Sequence, residues 1–193
     1  VVEPDDVTFG VPRFLSFIEL GYLYEAAKIA DVQLARKIDD ADADNDDKRN
    51  LIGNINATRQ SLLRSVFISS YAILEQHFDE IVTMEKSRHD ILISPSDLKD
   101  RGIGRSLSYF KKVLKRDLDT NVKHWKDLAL LQEVRNHLVH YGPGFGDTSE
   151  HEKRFAKFEN TEYVSLRPMV CFSIEQIEKI FDLYMVCIED FSK

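Results

Sequence analysis

Cysteine is scarce in this 193-residue sequence: Cys171 and Cys187 are the two present. Two thiols in apolar surroundings make no disulfide framework, and they read as small core residues in a reducing compartment. No apolar run approaches the ~20 residues needed to span a bilayer. No leader peptide is visible, although the sequence opens on Val1 and a trimmed terminus would hide one. Cytoplasm is the expected location. A basic excess is also missing. The net charge is −7, which argues against indiscriminate nucleic-acid binding. There is no internal repeat. Gly142-Pro143-Gly144-Phe145-Gly146 has no following Lys-Ser/Thr and no preceding strand, so it is not a phosphate-binding loop. No local pattern supports a Ser–His or Cys–His nucleophile. His137, His140 and His151 lack a second acidic pair that would complete a metal site. Asp40-Ala41-Asp42-Ala43-Asp44 lacks the central Gly and distal Glu of a calcium loop. No metal and no cofactor are expected.

What is present describes an ordinary globular chain, 43% hydrophobic and 31% charged. One domain is expected over residues 13–193, preceded by an extended arm over 1–12 that carries Pro4, Gly10 and Pro12. The fold class is all-α: a bundle of about five helices, with a short β-hairpin before the last. Apolar residues at helical spacing from Arg13 to Ile38 mark the first helix, with Pro12 suited to its start. The Asp-rich run from Asp39 to Asp47 should be a loop, since like charges and poor helix propensity combine there. A second, longest helix is expected from about Lys48 to Ser87. Its apolar middle contains Ser69, Ser70, Tyr71 and Glu75. Glu75 is either a partly buried carboxylate needing a cation, with Arg135 the partner, or a residue on the wet flank. His77 reads as a surface or capping residue. Ser94-Pro95-Ser96-Asp97 leads to a third helix from about Asp97 to Arg116, broken near Gly102 and Gly104. Residues 145–160 read as irregular or weakly helical. Tyr163–Leu166 and Val170–Phe172 form the hairpin, and Ser173 caps the final helix.

The charge is uneven. Between residues 99 and 126 there are nine basic residues against three acidic ones. Lys111, Lys112, Lys115 and Arg116 cluster there, either as solvated surface or as a track for an RNA backbone.

The stretch that organises the chain is Glu133-Val134-Arg135-Asn136-His137-Leu138-Val139-His140-Tyr141-Gly142. It ends an apolar helix entered near Trp125, and Gly142-Pro143-Gly144 stops that helix. With ~100° per residue, Asn136 and His140 are ~40° apart and Arg135 and His140 ~140° apart. Fraying near Gly142 is expected to narrow the second angle. The turn then offers an imidazole, an amide and a guanidinium to one phosphate. Such groups suit metal-free RNA cleavage: histidine moves a proton near neutral pH, and a guanidinium holds phosphate oxygens. One histidine cannot be base and acid at once, which favours a two-fold homodimer with His140 of both chains in one cleft. His137 reads as a packed or surface histidine rather than a second proton carrier.

Arg135-Asn136-xxx-His140, at a helix end and downstream of Ser69-Ser70-Tyr71-Ala72-Ile73-Leu74-Glu75, resembles the signature of the HEPN superfamily over roughly residues 13–192. The resemblance implies a dimeric, metal-independent endoribonuclease acting in toxin–antitoxin, abortive-infection or antiviral defence. Arg135 would contact phosphate, His140 would move the proton, and Asn136 would orient the RNA. An antitoxin or other protein partner is implied, and no membrane. Some members carry a modified Tyr two residues after the His. Here that position is Gly142, and Tyr141 follows His140 directly, to pack on the cleft or stack a base. The alternative is a non-catalytic nucleotide- or protein-binding module, in which Arg135 and His140 anchor Glu75 and backbone carbonyls.

Overall fold

The computed structural model describes residues 4–40 and 46–192. The described residues form an all-α bundle of six helices with one small antiparallel hairpin. Helix α1 runs Pro4–Asp39 and α2 runs Asp46–Arg88. A 3-10 turn at Pro95–Asp97 precedes α3, Ile103–Lys112. Then come α4, Lys123–Tyr141, and α5, Ser149–Glu159. Strands β1, Ser165–Leu166, and β2, Val170–Cys171, pair with Ser165 opposite Cys171 and Leu166 opposite Val170. Helix α6, Ile174–Phe191, closes the bundle. No described helix is long and apolar enough to cross a membrane.

The core forms where α2, α4 and α6 meet. Leu63, Phe67, Leu74, Phe78 and Val82 recur at four- and seven-residue spacing along α2 and are fully buried. They meet Leu131 and Val134 of α4 and Ile177, Ile180, Tyr184 and Ile188 of α6. Phe191 sits 4.6 Å from the Phe78 ring and 4.5 Å from the Phe110 ring, so aromatic packing seals α3 and the end of α6 onto α2. Ser173 caps α6 with a reciprocal capping box, its hydroxyl accepting from the Gln176 N–H.

Four expectations need correction. The helix expected to begin at Arg13 begins at Pro4, not after an extended arm. Pro4 occupies the first helical position, where a missing N–H costs nothing. The third helix is confined to Ile103–Lys112, because Gly102 adopts φ +57 and cannot continue a helix through itself. Residues 149–159 form a regular helix. Thr148 caps it, Glu150 and Glu152 occupy its first turn and Lys157 its last, so charge and capping supply what the apolar pattern lacks. His77 is buried at 1% exposure, not at the surface. It lies three residues after Leu74 and four before Ile81, on the buried arc of α2. Most of the expected Asp-rich loop, residues 41–45, lies outside the described residues; Asp46 and Asp47 already belong to α2.

Candidate functional site

Helix α4 carries the Arg–Asn–His segment to the bundle's edge. Val134 and Leu138 hold its inner face in the core, which turns Arg135, Asn136 and His140 outward. The helix does not fray. It stays regular to Tyr141, and Gly142, at φ +76, closes it with an N–H to the Leu138 carbonyl at 3.2 Å. The ~140° between Arg135 and His140 on one helix therefore stands unreduced.

Arg135 and Glu75 do come together. The Arg135 Nη2 is 3.9 Å from Glu75 Oε2, and both side chains are partly buried. Nη1 donates to Asn136 Oδ1 at 3.0 Å. The Nε–H is buried and has no hydrogen-bond partner. Arg135 is thus held in place by Asn136 and lies beside Glu75. Asn136 accepts from Arg135 and lies ~40° from His140 around the helix. His140 itself is exposed on the last turn.

Two residues that the sequence did not assign to the site support this group. Gly102 lies against Glu75, and a Cβ added there would overlap the carboxylate oxygen Oε1. Tyr71, one turn before Glu75, is buried with its hydroxyl unpartnered. Burial first, then the Glu75 charge, pushes its phenol well up, while Arg135 pulls it down. The signal for Tyr71 was its spacing, i−4 from Glu75 on α2. For Gly102 it was a glycine expected to break the third helix.

Tyr141 points to a different neighbourhood. It is half exposed, with the Arg154 guanidinium 4.6 Å over its ring and His151 5.3 Å away. His137 is packed in the same cluster, its ring 4.4 Å from Phe145. Its Nε2–H donates to the Gly144 carbonyl at 3.0 Å, and its Nδ1 is buried without a partner. Burial lowers the His137 pKa, with Arg154 and His151 adding to the effect against the Gly144 bond. The Gly146 N–H donates to His151 Nδ1 at 2.7 Å and the Val170 N–H to the Pro143 carbonyl at 2.8 Å. Together these bonds fix the break that follows the motif.

The basic cluster divides. Arg116 pairs with Glu85 at 2.5 Å, and Glu85 is 1% exposed. Lys111 donates to Thr120 Oγ1 at 2.6 Å. Lys112 is exposed, 3.8 Å from Asp100. Lys115 is exposed at φ +57 on the turn after α3. Lys112 and Lys115 are therefore presented to solvent, whereas Arg116 serves a buried carboxylate. Among the described residues, no group of three or more His, Cys, Asp or Glu side chains is arranged to hold a metal ion.

The chain matches no protein-family model, no curated protein and no solved structure.

Proposed function

We propose that this protein is a metal-independent endoribonuclease of the HEPN type, working as a homodimer in the cytoplasm. The observation that carries the reading is a guanidinium held in position, Arg135, on the same helix end as an exposed imidazole, His140. Because about 140° of helix separates them, the cleft is completed by a second copy. One His140 takes the proton of the ribose 2′-hydroxyl, whose oxygen attacks the adjacent phosphorus. The bond to the 5′ oxygen breaks, and His140 of the other protomer protonates that oxygen. The products are a 2′,3′-cyclic phosphate and a 5′-hydroxyl. Arg135 stabilises charge building on the phosphate oxygens, Asn136 orients the strand, and Lys112 and Lys115 track its backbone. A role in toxin–antitoxin or antiviral defence, with an antitoxin partner, belongs to the same reading.

RNA incubated with the protein in excess chelator is the test. Cleavage leaving cyclic-phosphate ends, lost in both Arg135→Ala and His140→Ala, supports the nuclease. Intact RNA with the wild-type protein favours a non-catalytic binding module. The bonding of Arg135 toward Asn136 and Glu75 suits that second reading, since it anchors the segment without any substrate.

A further inference from the structure

Among the described residues, helix α1 has two apolar faces, of which one is covered. Leu20, Ala27 and Asp31 lie on the buried face, where Arg59 of α2 pairs with Asp31. On the opposite side Leu15, Tyr22 and Ile29 recur every seven residues, and all three are exposed, Tyr22 at 75%. Ile18 and Val32 fall three residues after Leu15 and Ile29, which completes an a/d seam interrupted by Glu25. A soluble surface helix normally shows one apolar stripe, and a second one at heptad spacing marks a face built to meet another helix.

The charges say which helix. On the exposed part of α1, Glu19 and Glu25 precede Ile29, whereas Lys28, Arg36 and Lys37 outnumber Asp39 in its second half. A helix that is acidic in its first half and basic in its second complements itself when reversed. We infer that α1 pairs antiparallel with α1 of a second copy of this chain. Setting Tyr22 of one copy against Val32 of the other, position a against position d, makes the contact isologous, each residue meeting its counterpart twice. Glu25 of each copy then lies on the flank that carries Lys28 of the other. The antiparallel order also sets helix dipoles head to tail. From Leu15 to Arg36 the seam is about 33 Å long and about 10 Å wide. It covers several hundred Å² per copy, less than a permanent dimer buries, so the association is reversible. This pairing does not depend on the nuclease reading, and it is a separate interface from the His140 cleft.

Sedimentation equilibrium on the full chain tests it. Wild type should self-associate in the micromolar range, and Tyr22→Glu with Ile29→Glu should weaken that step by at least ~100-fold, because each change acts twice. Both side chains are exposed, so the melting temperature should hold. Glu25→Lys alone should weaken association, and adding Lys28→Glu should restore it, which a different partner protein would not do. His140→Ala should leave the mass unchanged, which separates this result from failure of the nuclease proposal. A wild-type monomer throughout the range, a double variant that associates like wild type, or no rescue by the charge exchange would each overturn the inference.

Discussion

Replacing Arg116 by Met separates two roles that a basic residue in a positive cluster can have. Glu85 is 1% exposed and sits in the last turn of α2, where the helix dipole already disfavours a negative charge. Its shortest ion pair is to Arg116 at 2.5 Å; Arg88 and His89 lie farther off, at 3.5 Å and 3.7 Å. Removing one partner of a fully buried pair costs about 3–5 kcal/mol, because a charge is left without compensation. Arg116 is 38% exposed, so solvent screens the pair, and Arg88 remains as a more distant cation. The expected loss is therefore ~2–3 kcal/mol. For a chain of this size that is a fall in melting temperature of roughly 5–10 °C. Urea unfolding of Arg116→Met, with Lys115→Met as the matched surface control, measures it. Glu85→Gln introduced with Arg116→Met should recover more than half of the loss, since no charge then remains to strand. Equal stability of the two Met variants would refute the argument and return Arg116 to the RNA-binding group.

Gly102→Ala should destabilise by at least ~1–2 kcal/mol, the cost of a Cβ in the left-handed region, before the overlap with Glu75 is counted. Thermal melting checks it, and a melting point equal to wild type would contradict the packing described. Acid should loosen the His137 cluster. The folded pKa of His137 is lowered by burial, so the unfolded chain binds the proton first as pH falls. Its stabilising contribution is thus complete above the unfolded value of about 6.5 and is lost as pH drops through the folded value. His137→Gln keeps a donor for the Gly144 carbonyl and should flatten the difference in melting temperature between pH 7 and pH 5. An unchanged pH profile would argue against it. Ser173→Ala should cost about 1 kcal/mol by removing the cap of α6, as read by chemical denaturation.

Helices α2, α4 and α6 were legible because each buries one stripe and leaves the other side wet, so spacing alone reports them. Ser173 and Gly142 marked their ends by conformational preference, which is also local. The link between Glu75 and Arg135 was open at the sequence level between a buried partner and a wet flank, and the fold brings the two within 3.9 Å. What escaped was decided by partners distant in the chain. Nothing near Arg116 announces that a glutamate 31 positions earlier lies buried opposite it. Helix α5 escaped for another reason: only Phe158 among its residues is buried, so there was little apolar stripe to count. In α1 the spacing was visible, but two apolar faces look like one wide stripe until a packed neighbour shows which is covered.

The proposed nuclease requires Arg135 and His140 to act on one phosphodiester. The most direct measurement is end-group mapping of RNA fragments released in excess chelator by wild type, His140→Ala, and a mixture of His140→Ala with Arg135→Ala chains. Wild type should release fragments with cyclic-phosphate ends, and neither His140→Ala alone nor the mixture, whose mixed dimers offer one His140 per cleft, should release any. Fragments from His140→Ala at the wild-type rate, or ends bearing a 5′-phosphate, would contradict the proposed nuclease.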